Sequence, residues 1–276
     1  MEAGSAERLR LGHITYSNCF PVHARLLDRG APEWIDIVHG VPSHLNALLE
    51  QGQIDVAPCS SIELARNADR YRVLPDLVIG SRGAVRSILL LSTLPPEQLD
   101  GRLVAVPTAS ATSVVLLKVL LRLRWKVRPR FTWFDQALKD PLHTGADAAL
   151  FIGDVALRQE FHPGVLVRID LGSEWWDFTG LPFAFAVWQA AGGSDTALRR
   201  LHGELLESRA YGREHRDDLA ARWADRFGFS PGFLAGYWGG LSYELDDAMQ
   251  EGLATFYRLA AEIGEIPAAP EVRFAG

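Results

Sequence analysis

Residues 53–68 read QIDVAPCSSIELARNA. The apolar run from Ile54 to Pro58 stops at three small side chains, Cys59, Ser60 and Ser61. A helical spacing through Ile62, Leu64 and Ala65 begins at once, which predicts a strand delivering the chain directly into a helix. The same event recurs at Thr15-Tyr16-Ser17-Asn18, at residues 108–113 (TASATS) and, with a carboxylate in place of hydroxyls, at Ile152-Gly153-Asp154. Helix N-termini carry unsatisfied N–H groups and the positive end of the backbone dipole, so several of them converging on one cleft favour an anion. For any single cluster, ordinary N-capping explains Ser, Thr and Asn equally well. Their recurrence at strand ends points to a small organic molecule bearing carboxylates.

Working outward, residues 8–15 and 34–39 read as strands before the one at 54–58, with helices over 21–29, 41–50 and 61–68. This β-α-β-α-β-α rhythm predicts a parallel sheet with its ligand at the carboxyl ends of the strands. Residues 74–79 and 87–92 look like consecutive strands around the turn Gly80-Ser81-Arg82-Gly83. The polar, proline-bearing stretch 93–101 (TLPPEQLDG) reads as a crossover between domains. A second α/β unit follows, with strands at 102–107, 128–133 and 148–151 and a helix over 111–123. The aromatic-dense segment 174–188 ends in a strand at 182–187, and Gly192-Gly193-Ser194 breaks the pattern. Helices at 195–207, 214–226 and 242–263 complete the chain. Leu245, Met249, Leu253, Phe256 and Ile263 form a core-facing stripe on the last. The expectation is an α/β protein of two lobes, the second inserted in the first, as in type-2 periplasmic binding proteins. Lobe 1 would comprise residues 1–95 and 189–276, lobe 2 residues 96–188, with hinges at 93–101 and 187–194.

Composition narrows the function. The 276 residues are 48% hydrophobic, enough for a sizeable core. A net charge of −6 argues against a nucleic-acid binder that works by bulk electrostatics. The alternating basic run at Lys118, Arg122, Arg124, Lys126, Arg128 and Arg130 reads as a helix leaving into an edge strand with a wetted face. The first residues show no apolar leader core and no run reaches membrane-spanning length, so a cytoplasmic protein without membrane partners is expected. Cys19 and Cys59 lack C-x-x-C or zinc spacing and read as reduced side chains lining or backing the cleft. No His-Glu-x-x-His, Walker sequence, dinucleotide glycine motif or Ser/His/Asp order is legible, which leaves hydrolase, dehydrogenase and kinase readings without support.

Six strings, in order, resemble one family: YSNCFPV at 16–22, HGVPSHLNALLEQGQIDVAPCSSIELAR at 39–66, LPDLVIGSRGAVRSILLLS at 74–92, SATSVVLLKVLL at 110–121, DAALFIGDVAL at 147–157 and DLGSEWWDFTGLPFAFAVW at 170–188. The family is chorismate dehydratase of the futalosine route to menaquinone. The related 1,4-dihydroxy-6-naphthoate synthase matches these strings less well. The resemblance implies a carbon–oxygen hydro-lyase that removes water from chorismate to give 3-[(1-carboxyvinyl)oxy]benzoate. Aromatisation drives that step, so no metal, nicotinamide or flavin cofactor is implied. The enzyme supplies orientation and a proton path. The family's catalytic asparagine and serine fall on Asn18 and Ser87.

Around that pair, Ser60, Ser61, Ser110, Thr112 and Ser113 are candidates for the substrate carboxylates, about half of them expected to be caps only. Tyr16 is a candidate wall for the ring, and Asp154 faces the same gap, orienting a donor, meeting a hydroxyl or capping a helix. Trp175, Trp176 and Phe178 could serve as walls, though core packing accounts for most such residues. Strand alternation places Arg86 and Ser87 on opposite faces, which solvates Arg86 and leaves Arg82 open. A rival reading is a non-catalytic cytoplasmic receptor for a small anionic metabolite, which would not require Asn18 together with Ser87. Neither the oligomeric state nor the general base is legible.

Overall fold

The computed structural model describes residues 7–138, 141–159 and 164–275. The reading of the first residues as lacking a leader core falls partly on residues 1–6, outside the described residues. Strand β1 (Leu9–Ile14) passes through a tight turn at Ser17–Cys19 into helix α1 (Phe20–Arg29). Then come β2 (Ile35–Gly40), α2 (Pro42–Glu50), β3 (Val56–Ser60), α3 (Ser61–Arg66) and the long β4 (Arg72–Ser81). A second unit follows: β5 (Ile88–Ser92), β6 (Leu103–Pro107), α4 (Ala111–Val119), β7 (Arg130–Phe134), β8 (Ala148–Ile152), α5 (Gly153–Leu157), β9 (Val167–Asp170) and α6 (Leu171–Thr179). Strand β10 (Phe183–Ala190) leads to α7 (Asp195–Glu214), α8 (Arg216–Phe227), α9 (Pro231–Gly240) and α10 (Asp247–Glu262).

The strands form two five-stranded sheets, ordered β2-β1-β3-β10-β4 and β7-β6-β8-β5-β9. In the first, β1 runs parallel to β2 and β3, while β10 lies antiparallel between β3 and β4. In the second, β6 runs parallel to β7 and β8, and β5 antiparallel to β8 and β9. Strands β3, β8 and β10 are buried at every position, which is why they read as unbroken runs of small and apolar residues rather than as alternation. Strand β7 is an edge, as the basic run suggested, and Trp133 on it is 59% exposed. Two of the basic residues before it are ion-paired. Lys118 pairs with Glu265 at 2.9 Å and Arg124 with Glu174 at 2.8 Å.

Both domain boundaries move. The sequence pattern places residues 88–95 in lobe 1, yet β5 pairs with β8 and β9 in the second sheet. It places residues 183–188 in lobe 2, yet β10 lies in the first sheet. The cause lies in residues 82–87, which form no hairpin. Gly83 (φ +89°) and Arg86 (φ +65°) turn the backbone, and the Asp170 carboxylate accepts the N–H groups of Val85 at 3.0 Å and Arg86 at 2.6 Å. That grip hands Ser87 and β5 to the second sheet. The chain therefore crosses between sheets at 82–87 and 171–182, whereas the proline-bearing stretch 93–101 joins β5 to β6 within one sheet.

The C-terminal helices pack back on the first sheet and its helices. Helix α7 lies so close to α1 that a Cβ at Gly212 would stand 2.2 Å from the Pro21 carbonyl oxygen. The stripe on α10 is buried as expected, Met249 and Phe256 fully. That helix starts later than its periodicity suggested, because the Asp246 side chain caps it by accepting the Met249 N–H at 2.9 Å.

Candidate functional site

The turn after β1 is held from three directions. Asp154, at the start of α5, accepts the Ser17 N–H at 3.1 Å and the Ser17 hydroxyl at 2.5 Å. The Trp238 indole N–H donates to the Ser17 carbonyl at 2.8 Å, and the Tyr243 hydroxyl to the Asn18 carbonyl at 3.0 Å. With its backbone fixed in this way, Asn18 presents an amide whose Oδ1 is buried and has no hydrogen-bond partner. A buried acceptor left open costs about 1–3 kcal/mol, a cost that an incoming donor relieves.

Ser87 is 1% exposed, and its hydroxyl makes only a long 3.5 Å contact to the Val85 carbonyl. The Tyr237 hydroxyl nearby is likewise buried and unpartnered. Burial drives this phenol far above its usual range, opposed by the Ser87 hydroxyl and raised further by Asp154, so it keeps its proton. Tyr243, which grips Asn18, lies within electrostatic range of Tyr237. Ser87 thus neighbours Tyr237, and Tyr243, on which Tyr237 acts electrostatically, holds the Asn18 carbonyl. Burial also raises the Asp154 carboxyl, against its bonds from Ser17 and the charge of Arg158.

The remaining candidates mostly close the gap between the two sheets. The Tyr16 ring packs on Gly153, where a Cβ would stand 2.8 Å from Cδ2. The Ser61 hydroxyl donates to the Ala184 carbonyl at 2.8 Å and meets Thr112 Oγ1 at 3.3 Å. Thr112 in turn accepts the Ile62 N–H at 3.1 Å. Ser110 caps α4, accepting the Ser113 N–H at 3.4 Å and donating to its hydroxyl at 3.0 Å. The Ser60 side chain is 4% exposed and has no hydrogen bond among the described residues. Ser110 lines a cavity of about 350 Å³ together with Asn46 and Gln189, whose amide oxygens are buried and unpartnered; Asn18 and Ser87 do not line it. Trp175 is core, packed on Phe183 and Phe256. Arg86 is exposed over the Phe233 ring, and Arg82 pairs with Asp246.

Sequence reasoning missed Tyr237, Trp238, Tyr243 and Gln136. Gln136 clasps both backbone groups of Ile152, accepting its N–H at 3.0 Å and donating to its carbonyl at 3.1 Å. The three aromatics lie in FLAGYWGGLSY, whose even hydrophobicity carries no helical stripe that would place it against residues more than 200 positions away.

Behind the turn, His13, Cys19 and His23 bring three potential metal-ligating atoms within 4.8 Å of one another. Their hydrogen bonds assign them another role. The Trp188 indole N–H donates to His23 Nε2 at 3.1 Å, so the proton of neutral His23 sits on Nδ1 and is donated to His13 Nδ1 at 3.0 Å. A metal on His23 Nδ1 would require a proton on Nε2, facing the Trp188 donor. The cluster is a proton-ordered chain. Burial pushes His23 down to about 3 and His13 well below its usual value. The buried Cys19 thiol is pushed up to about 12 and stays protonated.

Two mixed α/β sheets joined by two crossings, with helix starts facing a shared gap, define the periplasmic-binding-protein-like class. Solved structures bear this out at the level of the fold. A protein from Archaeoglobus fulgidus superimposes with a TM-score of 0.77 at 19% identity, covering 94% of this chain and 98% of that one. The periplasmic aliphatic sulphonate binding protein of Escherichia coli gives 0.65 at 19% identity, covering 96% and 90%. Within that class the chain belongs to the menaquinone biosynthesis family, whose model matches residues 9–262. Among curated relatives, the chorismate dehydratase of Thermus thermophilus is 31% identical over 94% of this chain and 96% of its own length. That of Campylobacter jejuni is 33% identical over 63% of this chain and 64% of its own. No helix among the described residues is long and apolar enough to cross a membrane.

Proposed function

We propose that this protein is a chorismate dehydratase, releasing water from chorismate to give 3-[(1-carboxyvinyl)oxy]benzoate. Membership of the family and the curated relatives support the reaction. The observation that supports the site is a buried, unpartnered Asn18 amide oxygen together with a buried Tyr237 phenol that neighbours Ser87. A receptor selecting an anion would present donors, whereas this region also holds an acceptor and a high-pKa phenol.

In the proposed step the C3–H bond breaks and its electron pair enters the ring. The C4–O bond breaks and the hydroxyl leaves as water. The substrate's own enolpyruvyl carboxylate receives the C3 proton, with the Asn18 amide holding that group in reach. Tyr237, kept protonated by burial, donates to the departing hydroxyl, and Ser87 orients the phenol. The proton gathered by the carboxylate then restores Tyr237. Asp154, Ser61, Thr112 and Tyr16 act by closing the sheets over the ring and excluding water.

The test is direct. Purified protein is mixed with chorismate, and loss of the diene absorbance is followed alongside appearance of the aromatic product. Turnover with both signals supports the reading. No reaction with chorismate, combined with conversion of cyclic dehypoxanthine futalosine, would assign the chain to the naphthoate synthase branch. Stoichiometric binding without conversion would make it a receptor.

A further inference from the structure

The proton-ordered chain behind the Asn18 turn ends at a cavity of about 230 Å³ that the reaction proposed above does not use. Its polar lining is His13, Thr15, His39 and Arg226, at the ends of β1 and β2 and on α8. His23 donates from Nδ1 to His13 Nδ1, so neutral His13 carries its own proton on Nε2. His13 is 4% exposed, and its Nε2–H has no hydrogen-bond partner among the described residues. With Nδ1 turned to His23 and to Cys19 Sγ at 3.7 Å, the edge of the ring left for the cavity is the Nε2–H edge. A buried donor without an acceptor is costly, and an acceptor entering the cavity relieves that cost.

The charges around this donor share one sign. The ionisable groups that act on His13 are His23, His39 and Arg226, all of them bases. The His39 ring stands edge-on to His13, with centroids 5.3 Å apart. The Arg226 guanidinium lies 5.5 Å from the centre of the Trp223 ring and has no ion-pair partner among the described residues. No carboxylate lines the cavity. Asp28, the acidic group where α1 meets α8, is taken by the Tyr211 hydroxyl at 2.7 Å, Arg222 at 2.9 Å and the Trp223 N–H at 3.4 Å. In a chain of net charge −6 this is a local pit of donors and bases. Buried Phe20 and Phe227 complete its wall, and such apolar surroundings strengthen an electrostatic contact. The volume lies below the ~300–1,000 Å³ of drug-sized sites, which leaves room for a guest of few heavy atoms. A guanidinium fork and a separate imidazole N–H suit an ion with two or more oxygens better than a spherical one.

We infer that the cavity walled by His13, Thr15, His39 and Arg226 is a binding site for a small oxyanion, with the His13 Nε2–H and the Arg226 guanidinium as its principal donors. Thr15 stands three residues before Asn18, so an ion held here bonds to the segment that carries the Asn18 turn. The inference stands whether or not the chain dehydrates chorismate.

Selenate, an oxyanion with an anomalous X-ray signal, is the probe. Crystals of the unmodified protein soaked in selenate should show an anomalous peak in the cavity, within hydrogen-bond distance of His13 Nε2. Calorimetric titration of the full chain should detect a selenate site that weakens at least about tenfold in Arg226→Gln and recovers partly in Arg226→Lys. Arg213→Gln removes the same charge from an exposed arginine outside the cavity, and it should leave the affinity unchanged. Phosphate and acetate should each displace selenate at concentrations where chloride does not. An empty cavity after soaking, a peak without binding in solution (an adventitious ion only), wild-type affinity in Arg226→Gln, an equal loss in Arg213→Gln, or displacement by chloride as readily as by phosphate would each overturn the inference.

Discussion

Asn18 and Ser87 illustrate how a residue's role depends on what surrounds it. Each is a common small polar side chain, and each is left without a strong partner by neighbours that bind only its backbone or its flank. Asn18→Ala and Ser87→Ala are each expected to lower kcat on chorismate by at least about 100-fold, the scale of one catalytic hydrogen bond, with melting temperature little changed. Tyr237→Phe should cost about 10²–10⁴-fold, the range for removing a positioned proton donor, and a rate near wild type would dismiss its role. The buried histidine chain sets a pH limit on stability. His23 is held at about 3 when folded, against 6.5 unexposed to the fold. Below about pH 6.5 the unfolded chain gains a proton that the folded one refuses. The stability contribution is therefore full above pH 6.5 and declines as pH falls toward 3, by up to about 1.4 kcal/mol per pH unit for this one group. Urea midpoints measured from pH 7 to pH 5 should fall, and His23→Gln should flatten the slope.

At the scale of elements, close approach decides which helices can pack where. Gly212 permits α7 to touch the Pro21 carbonyl, and Pro21 stands in the first turn of the helix that follows the Asn18 turn. Gly212→Ala should destabilise the protein by about 1–3 kcal/mol through overpacking, read as a lower denaturation midpoint at unchanged slope. Gly153 combines a φ of +63° with the Tyr16 ring across the gap, so a side chain there meets backbone strain and a clash together. The element boundaries show why periodicity reached some segments and missed others. Strands β3 and β6 were legible as short unbroken runs of small and apolar residues, buried at nearly every position. Helix α6 was not, because its aromatic-dense sequence reads as readily as strand, and neither was β9, whose 4 residues are too few for a period to declare itself.

For the whole molecule the decisive contacts run between the two sheets. Asp154 and Ser17 are 137 residues apart in sequence, and Ser61 and Thr112 are 51 apart. Asp154→Ala leaves the buried Ser17 N–H unpaired, a loss of about 1–3 kcal/mol that falls on the closed arrangement. X-ray scattering should then show a larger radius of gyration without substrate, and KM should rise more than kcat falls. A radius and KM like those of wild type would show that closure does not depend on this contact.

The amino-acid order alone determined that strands deliver helices with hydroxyl-rich starts, that two α/β units are present, and, through the six strings, the family to which the chain belongs. It could not determine where the chain changes sheets. Residues 74–79 and 87–92 look alike as apolar runs around a glycine turn, and only the Asp170 carboxylate, about 85 positions downstream, pulls the second into the other sheet. Nor could it say which hydroxyls face a ligand. Ser61 and Thr112 have the residue types of an anion site, yet tertiary packing sets them against each other. Local pattern reports which faces are apolar and which ends need caps. Register between distant segments depends on contacts whose partners are far apart in sequence, and there only the folded arrangement decides.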